Sequence, residues 1–211
     1  MAAVGVRFEG KRIVLTGGSG AFGAGMVDLL RERGATVDAP HFSADWSTDD
    51  LSRFDALLPD ADVLVLAHGA KVDGAMDANC TTFVRLIERY RSLHAGPVEV
   101  WAVGSEIECH PHWGNPELKV YKASKMAYAR FARRYARDQS LVYRHIVPSA
   151  FTSRMGPGLI SGGTAARWAL GWIGLGARYV PVTYTGIALL NWFRHRFGER
   201  ASDADVAAIV G

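Results

Sequence analysis

A tyrosine and a lysine four residues apart are well suited to proton transfer. Tyr121 and Lys125 form the pattern YxxxK early in a helix predicted at 119–138, and this spacing places both side chains on one helical face. Because a nearby ammonium group favours the phenolate, we expect Lys125 to lower the pKa of Tyr121 from its free value of about 10. Such a tyrosine can act as a general acid or base toward a carbonyl or an alcohol.

Two further polar residues could assist this pair. Ser105 follows a strand predicted at 98–103, where a hydroxyl can hydrogen-bond a substrate oxygen, although it could also be a turn or cap serine. Asn79 falls inside a helix predicted at 75–92, where asparagine is unfavourable because its side chain competes for backbone hydrogen bonds. It could hold a water molecule that links to Lys125, or it could face solvent.

The segment 13–23, with the sequence IVLTGGSGAFG, predicts a phosphate-binding loop. It contains the pattern TGxxGxxG between a predicted strand and a predicted helix. Glycines let the backbone approach a pyrophosphate, and the N-terminus of the helix offers free N–H groups and a favourable dipole. We therefore expect dinucleotide binding by Thr16, Gly17, Ser19, Gly20, Phe22 and Gly23.

The predicted elements bring these residues to one edge of a sheet. Short apolar runs predict strands at 13–15, 35–39, 63–67, 98–103, 141–147 and 179–182. Helical patterns alternate with them at about 24–33, 49–58, 75–92 and 119–138, the second capped by Ser47 or Thr48. This alternation indicates an α/β fold with a doubly wound, mostly parallel sheet, in which ligands bind beyond the carboxyl ends of the strands. A length of 211 residues fits a single domain.

Over about residues 10–155 the chain resembles the short-chain dehydrogenase/reductase family. The resemblance implies a Rossmann-type fold and hydride transfer between a nicotinamide cofactor and a carbonyl or secondary alcohol. It implies that Tyr121 is the general acid or base and that Lys125 lowers its pKa and binds the nicotinamide ribose. It also implies that Ser105 orients the substrate and that Asn79 holds a proton-relay water.

The resemblance adds further cofactor positions. The sequence AHGA stands where the family has its NAG-type motif after the fourth strand, with His68 in place of asparagine. The other implied contacts are Ala67 and Gly69 in that motif, Asp45 and Trp46 at the adenine, and Pro148, Phe151, Thr152 and Ser153 at the nicotinamide. The chain departs from the main branch at Ala21, where a glycine is usual, and at Ser149, where Pro-Ser replaces Pro-Gly. It is also too short for the large C-terminal substrate domain of sugar-nucleotide epimerases.

His41 bears on the choice of cofactor. It stands near the position at which such sites place an acid on the ribose hydroxyls, whereas Asp38 comes too early. A non-acidic residue tolerates a 2′-phosphate, so we expect NADP(H) to be favoured over NAD(H). The alternative is that His41 is only a loop residue.

The C-terminal part of the chain predicts the substrate end of the site. Residues 154–178 are rich in glycine and apolar residues and suggest a substrate lid. Trp168 and Trp172 share one helical face, which suits an apolar, lipid- or polyketide-like substrate, unless both pack on the sheet. The competing function is a catalytically silent NADP(H)-sensing module or a partner subunit.

Charge and cysteine content limit the partners. A net charge of +3 is mild, and we expect no nucleic acid. Four arginines at 130, 133, 134 and 137 predict a solvated or subunit-facing stripe. The family resemblance implies a homodimer or other homo-oligomer through the helices that carry Asn79 and Tyr121.

The last aromatic residues lie beside basic ones, in the segment Trp192–Arg200. Such a helix can lie on an anionic membrane, but we expect it to pack on a dimer partner or on the core. We expect neither a signal peptide nor a membrane-spanning helix. Cys80 and Cys109 show no CxxC or metal-type spacing, and we expect a cytoplasmic protein without a metal.

Overall fold

Six parallel strands form the central sheet, and helices cover both of its faces. The computed structural model describes residues 6–109 and 116–211. The strands are β1 (Arg12–Thr16), β2 (Thr36–Asp38), β3 (Val63–Leu66), β4 (Val98–Val103), β5 (Leu141–Pro148), β6 (Phe151–Thr152), β7 (Ile160–Ser161) and β8 (Tyr179–Val182). In the main sheet they run in the order β2-β1-β3-β4-β5-β8, and β6 pairs with β7 beside it.

The helices form two layers. They are α1 (Ala21–Glu32), α2 (Arg53–Leu57), α3 (Thr82–Ser92), α4 (Pro116–Tyr135), α5 (Gly162–Gly174), α6 (Ile187–Phe197) and α7 (Asp203–Val210). Helices α1 and α5 pack together on one face of the sheet, and α3, α4 and α7 cover the other. Because both faces are covered, every residue of β3 is buried, and its sequence VLVL is apolar without alternation.

The predicted doubly wound parallel sheet is confirmed, and one of its helices is shorter than expected. The helix predicted at 49–58 begins only at Arg53, and its N-cap is Ser52. Ser47 instead accepts a hydrogen bond from the backbone of Asp50 in the preceding turn, at 3.1 Å. The AHGA motif follows β3, the third strand of this chain, as the predicted strand at 63–67 implies.

Most of the predicted lid region, 154–178, forms helix α5, which packs in the core. Its residues Ala165, Ala169 and Ile173 are fully buried against α1 and the sheet. A helix packed in this way cannot open without exposing the core, so within 154–178 a lid could comprise only the residues outside α5, at 154–161 and 175–178. Trp168 and Trp172 lie on the opposite, exposed face of α5, and the alternative in which they pack on the sheet is wrong.

The four arginines of the predicted stripe, three on α4 and Arg137 just after it, bind another part of the same chain and are neither merely solvated nor free to face a subunit. The contacts are Arg130 with Glu199, Arg133 with the carbonyl oxygen of Glu199, Arg134 with Asp203 and Arg137 with the carbonyl oxygen of Arg196. These side chains therefore fasten the segment after α6 to α4. None of the helices in the described residues is long and apolar enough to cross a bilayer.

Candidate active site and cofactor site

Ser105, Tyr121 and Lys125 meet at the carboxyl edge of the sheet. Ser105 follows β4, and its side chain is hydrogen-bonded to the hydroxyl of Tyr121 on α4. One turn later on α4, Lys125 is buried, with its Nζ 5.8 Å from the centre of the Tyr121 ring. Its ammonium donates a hydrogen bond to the carbonyl oxygen of Val103, at 2.9 Å. The fold thus places two hydroxyls together and a cation behind them.

The expected lowering of the tyrosine pKa is wrong for this arrangement. Burial raises the pKa of Tyr121 to about 12, and the negative charge of Glu108 adds to the increase, whereas the hydrogen bond from Ser105 opposes it. Burial also lowers the pKa of Lys125 to about 8, against the effect of Glu108. Tyr121 therefore carries its proton at neutral pH, and Lys125 can gain or lose one near neutrality.

Asn79 connects the loop after β3 with the catalytic helix. It lies in a π-helical segment, Asp77–Thr81, directly before α3, and is fully buried. Its Nδ2 donates to the carbonyl oxygen of Ala70 at 2.6 Å and to Ser124 Oγ at 2.9 Å. Ser124 in turn donates to the carbonyl oxygen of Tyr121 at 2.7 Å. A solvent-facing Asn79 is excluded, and the water-holding role implied by the family resemblance stays a prediction.

Glu108 is a buried carboxylate that the predicted site did not include. The backbone N–H of Ser105 donates to its Oε1 at 2.9 Å, and Ser105 Oγ accepts from the N–H of Ile107, which together form a capping box on the short 3₁₀ turn Glu106–Glu108. His145 Nε2 lies 3.4 Å from the other carboxylate oxygen. The signal was present in the sequence as S-x-x-E over residues 105–108. Glu108 thereby fixes the turn that presents Ser105.

Glu106 is the second missed carboxylate. It is buried and accepts hydrogen bonds from Ser149 at 2.8 Å, Thr183 at 2.7 Å, Thr185 at 2.6 Å and the backbone of Ala188 at 2.9 Å. Burial on its own raises the pKa of a carboxyl group, but these four bonds outweigh it and hold the pKa of Glu106 below its usual value. The residue next to Ser105 thus anchors the end of β5 and caps α6.

The glycine loop forms a cradle that a side chain would fill. Gly17 has φ +78°, and a Cβ on it would lie 2.5 Å from the backbone nitrogen of His68. A Cβ on Gly23 would lie 2.1 Å from the carbonyl oxygen of Gly17. Gly20 is the N-cap of α1, which has neither a side-chain cap nor an acidic residue in its first turn. The free N–H groups of this helix therefore suit a pyrophosphate, and the residues present fit a dinucleotide.

Thr16 and His68 join the ends of β1 and β3 beside this cradle. Thr16 Oγ1 lies 2.6 Å from His68 Nδ1 and accepts from the backbone N–H of Ala67. The His68 ring packs between Trp46 and Phe83. Burial, with the charge of Lys125, lowers the pKa of His68 to about 3, so the ring is neutral. Its Nε2 is buried without a hydrogen-bond partner in the described part of the chain, which is consistent with a ligand at this edge.

Comparisons with known proteins bear on the fold. No family model matches the chain. A monoglucosyldiacylglycerol epimerase from Synechocystis is 26% identical over 222 aligned positions, which cover 90% of this chain and 53% of that protein. This chain thus spans about half the length of that relative.

Two solved structures resemble the chain along nearly all of its length. A short-chain dehydrogenase from Burkholderia cenocepacia in complex with NADP has a TM-score of 0.69 at 18% identity and covers 98% of this chain and 100% of its own. One from Burkholderia phymatum in complex with NAD has a TM-score of 0.67 at 14% identity, with coverages of 94% and 98%. The fold is that of the short-chain dehydrogenases. The Rossmann-type architecture expected from the sequence is therefore confirmed.

Within the short-chain dehydrogenase fold, the remaining cofactor candidates lie in two loops. After β2, the backbone N–H of His41 donates to Asp45 Oδ2 at 2.6 Å, and Trp46 donates to the carbonyl oxygen of Pro40 at 3.2 Å. Asp45 thus shapes the loop that carries His41, while the side chain of His41 is exposed. Trp46 is almost wholly buried. Their roles toward a cofactor stay predictions.

The second loop follows β5 and returns to the glycine loop. Phe151 packs on Phe22 with ring centres 5.8 Å apart, and the side chains of Thr152 and Ser153 bind the backbone of residues 155–158. Arg154, which the sequence analysis did not single out, donates to the carbonyl oxygen of Ser19 at 3.2 Å. A cation therefore stands directly beside the predicted pyrophosphate position. Pro148 ends β5 and Gly69 lies within the AHGA motif after β3, so both are at the same edge of the sheet.

Proposed function

We propose that the protein is an NAD(P)(H)-dependent oxidoreductase that transfers hydride between a nicotinamide cofactor and a carbonyl or secondary alcohol. The observation that carries the proposal is the shared hydrogen bond of the Ser105 and Tyr121 side chains with Lys125 buried behind them. Two hydroxyls this close can both contact a single substrate oxygen. When bound, the nicotinamide supplies or takes up the hydride.

The raised pKa of Tyr121 suits the site better to reduction of a carbonyl than to oxidation of an alcohol. At neutral pH the phenol holds a proton that it can donate to a carbonyl oxygen, while Ser105 holds that oxygen in place. Lys125, with a pKa of about 8, can help to restore the proton afterwards. Glu108 keeps Ser105 oriented through its backbone N–H. The reverse reaction uses the same groups in the opposite order.

We infer an apolar, lipid-like substrate. Two observations support this inference. The relative from Synechocystis is named for a diacylglycerol lipid, and the exposed side chains of Leu159 and Tyr184 lie near the loops that follow β5 and β8. That relative is an epimerase by name, which favours a second candidate activity. Epimerisation of a secondary alcohol by hydride removal and return would use the same Ser105, Tyr121 and Lys125.

We also propose that NADP(H) is preferred to NAD(H), that the protein forms a homo-oligomer and that it works in the cytoplasm. His41 is exposed in the loop after β2, three residues beyond Asp38, near the position where an acid would reject a 2′-phosphate. Helix α4 exposes Leu118, Val120 and Met126, which suits a contact between subunits through the helix that carries Tyr121. Free cysteines at 80 and 109 suit a reducing compartment.

Cofactor binding and turnover can be tested separately. Fluorescence titration with NADPH and NADH measures affinity, and absorbance of the reduced nicotinamide then follows a panel of ketones, aldehydes and glycolipids. Oxidation of cofactor by a carbonyl would support the reductase. Conversion of a glycolipid to its epimer without net cofactor oxidation would support the epimerase. Tight binding with no conversion of any substrate would favour the silent sensing module, and no binding would refute the proposal.

A further inference from the structure

Helix α6 turns an amide and an imidazole side chain inward and exposes most of its large apolar side chains. Its buried side includes Ala188 and Asn191, and His195 stacks on the buried His145 with ring centres 5.0 Å apart. The outward residues lie three and four positions apart on one face, with exposed fractions of 55% for Leu189, 72% for Leu190, 60% for Phe193 and 73% for Phe197. A helix that merely covers a core in water has the reverse pattern.

This outward face is large and bordered by positive charge. At about 100° per residue, Arg194 and Arg196 fall on opposite sides of the apolar face. Arg137 and Arg200 lie close by. Burial is the largest cause of the lowered pKa of Arg137, and the positive charges of Arg200 and Arg196 lower it further. Helix α6 contains no acidic residue, and Glu199 just beyond it is paired with Arg130 at 2.9 Å.

The helix begins at the proposed active site. Glu106, the neighbour of Ser105, accepts hydrogen bonds from Thr183, Thr185 and the N–H of Ala188 in the first turn of α6. The carbonyl oxygen of Glu108 accepts from Arg194 at 3.2 Å. These contacts tie the apolar face to the turn that presents Ser105, so a surface bound by α6 would be held close to the site.

We propose that α6 docks the protein on an anionic lipid bilayer, with Leu189, Leu190, Phe193 and Phe197 inserted among the acyl chains and the flanking arginines at the headgroups. Apolar insertion combined with attraction of basic side chains to anionic lipids is how interfacial helices bind. A two-fold contact between two copies of α6 would bring the arginines of both copies together, so charge favours the bilayer over a second copy. The inner side of α6 packs on the core as expected, through Ala188 and Asn191, and a dimer partner on its outer face is the alternative that the test below separates from the bilayer.

Docking through α6 would bring a lipid substrate to the active site, and this part of the inference rests on the proposed function. A diacylglycerol substrate could present its polar headgroup to Ser105 and Tyr121 while its acyl chains remain in the bilayer. Docking itself requires neither cofactor nor turnover. Vesicle binding and catalysis can therefore fail independently of each other.

The test is sedimentation of the whole protein with vesicles of phosphatidylcholine alone or of equal parts phosphatidylcholine and phosphatidylglycerol. We expect binding to the anionic vesicles that weakens as salt is added. Leu190→Glu combined with Phe193→Glu should reduce the binding constant at least tenfold, because two inserted apolar groups become charged. Arg196→Gln should reduce it about fivefold, the effect of a single basic residue near an anionic surface.

A matched control is Leu175→Glu. Leu175 is as exposed as Phe197, at 73%, but it is the C-cap of α5, which packs on α1, whereas α6 packs on α4, so this variant should bind like the unaltered protein. Thermal unfolding followed by circular dichroism checks that each variant is folded. The proposal is overturned by absence of vesicle binding, by equal binding of the double variant, or by equal loss in Leu175→Glu. It is also overturned if the double variant converts a dimer to a monomer while neither form binds vesicles.

Discussion

Replacement of Gly23 by alanine should specifically damage the predicted cofactor cradle. Gly23 lies in the first turn of α1, and an added Cβ would be 2.1 Å from the carbonyl oxygen of Gly17, whereas ordinary contact begins at 3.4 Å. The obstructing atom belongs to the backbone and cannot rotate away. The glycine loop and the helix would therefore have to separate by about 1 Å, a distance at which hydrogen bonds are lost.

The size of the effect follows from what that separation disrupts. The backbone N–H groups at the start of α1 are the proposed donors to the pyrophosphate, and a hydrogen bond to a charged group contributes about 1.5–3 kcal/mol. Loss of one such bond corresponds to a rise in the Kd for NADPH of about tenfold to a hundredfold. Overpacking should also lower the free energy of unfolding by about 1–3 kcal/mol.

The assay is fluorescence titration with NADPH, together with urea unfolding. Gly171→Ala is the matched control, because Gly171 lies in α5 with open space around its would-be Cβ. It should leave the Kd unchanged and stabilise the protein by up to about 1 kcal/mol. If Gly23→Ala bound NADPH as tightly as the unaltered protein, the cradle would not be the cofactor site.

Four further outcomes are expected. Tyr121→Phe should lower turnover by about 10²–10⁴-fold with the Kd for NADPH unchanged, and normal turnover would exclude Tyr121 as the proton donor. His41→Asp should shift the ratio of NADPH to NADH affinity toward NADH; an unaltered ratio would place the ribose recognition elsewhere. Glu106→Gln should reduce the free energy of unfolding by about 1–3 kcal/mol near neutral pH. Because the pKa of Glu106 is lowered by folding, its contribution is present above the unfolded pKa and lost as the pH falls through the folded one, so the difference between the two proteins should shrink in acid; a constant difference would contradict the assignment. Finally, kcat/KM for carbonyl reduction should fall as the pH rises through about 8, where Lys125 loses its charge, and a profile flat across that pH would separate Lys125 from proton transfer.

The sequence predicted the parts of the site that depend on local pattern. The glycine loop, the strands that flank it and the four-residue spacing of Tyr121 and Lys125 are all set within short segments, and the structure places them as expected. Strands such as β3 were recognisable because a sheet covered on both faces requires an unbroken apolar run. The direction of the Tyr121 pKa was wrong because it depends on burial and on Glu108, not on spacing alone.

The unpredicted parts depend on partners distant in the chain. Glu106 binds Ser149, Thr183, Thr185 and Ala188, between 43 and 82 residues away. The arginines of α4 and the neighbouring Arg137 likewise find their partners 59 to 69 residues later, so the local spacing predicted only a solvated or subunit-facing stripe. For Glu108 the local signal existed, but a capping pattern does not reveal that its carboxylate is buried behind a reactive serine.

The position of Asn79 depends on the number of residues in its π-helical turn, Asp77–Thr81. A π-helical turn takes one residue more than an α-helical turn. Deletion of a single residue between Asp77 and Thr81 would remove the extra residue and let the helix close into regular α-helical geometry, with the turns on either side keeping nearly their present orientation. Asn79 would then swing away from Ala70 and Ser124, which it now joins. In homologous chains, this turn should therefore accept substitutions at its exposed positions far more readily than a change in its number of residues.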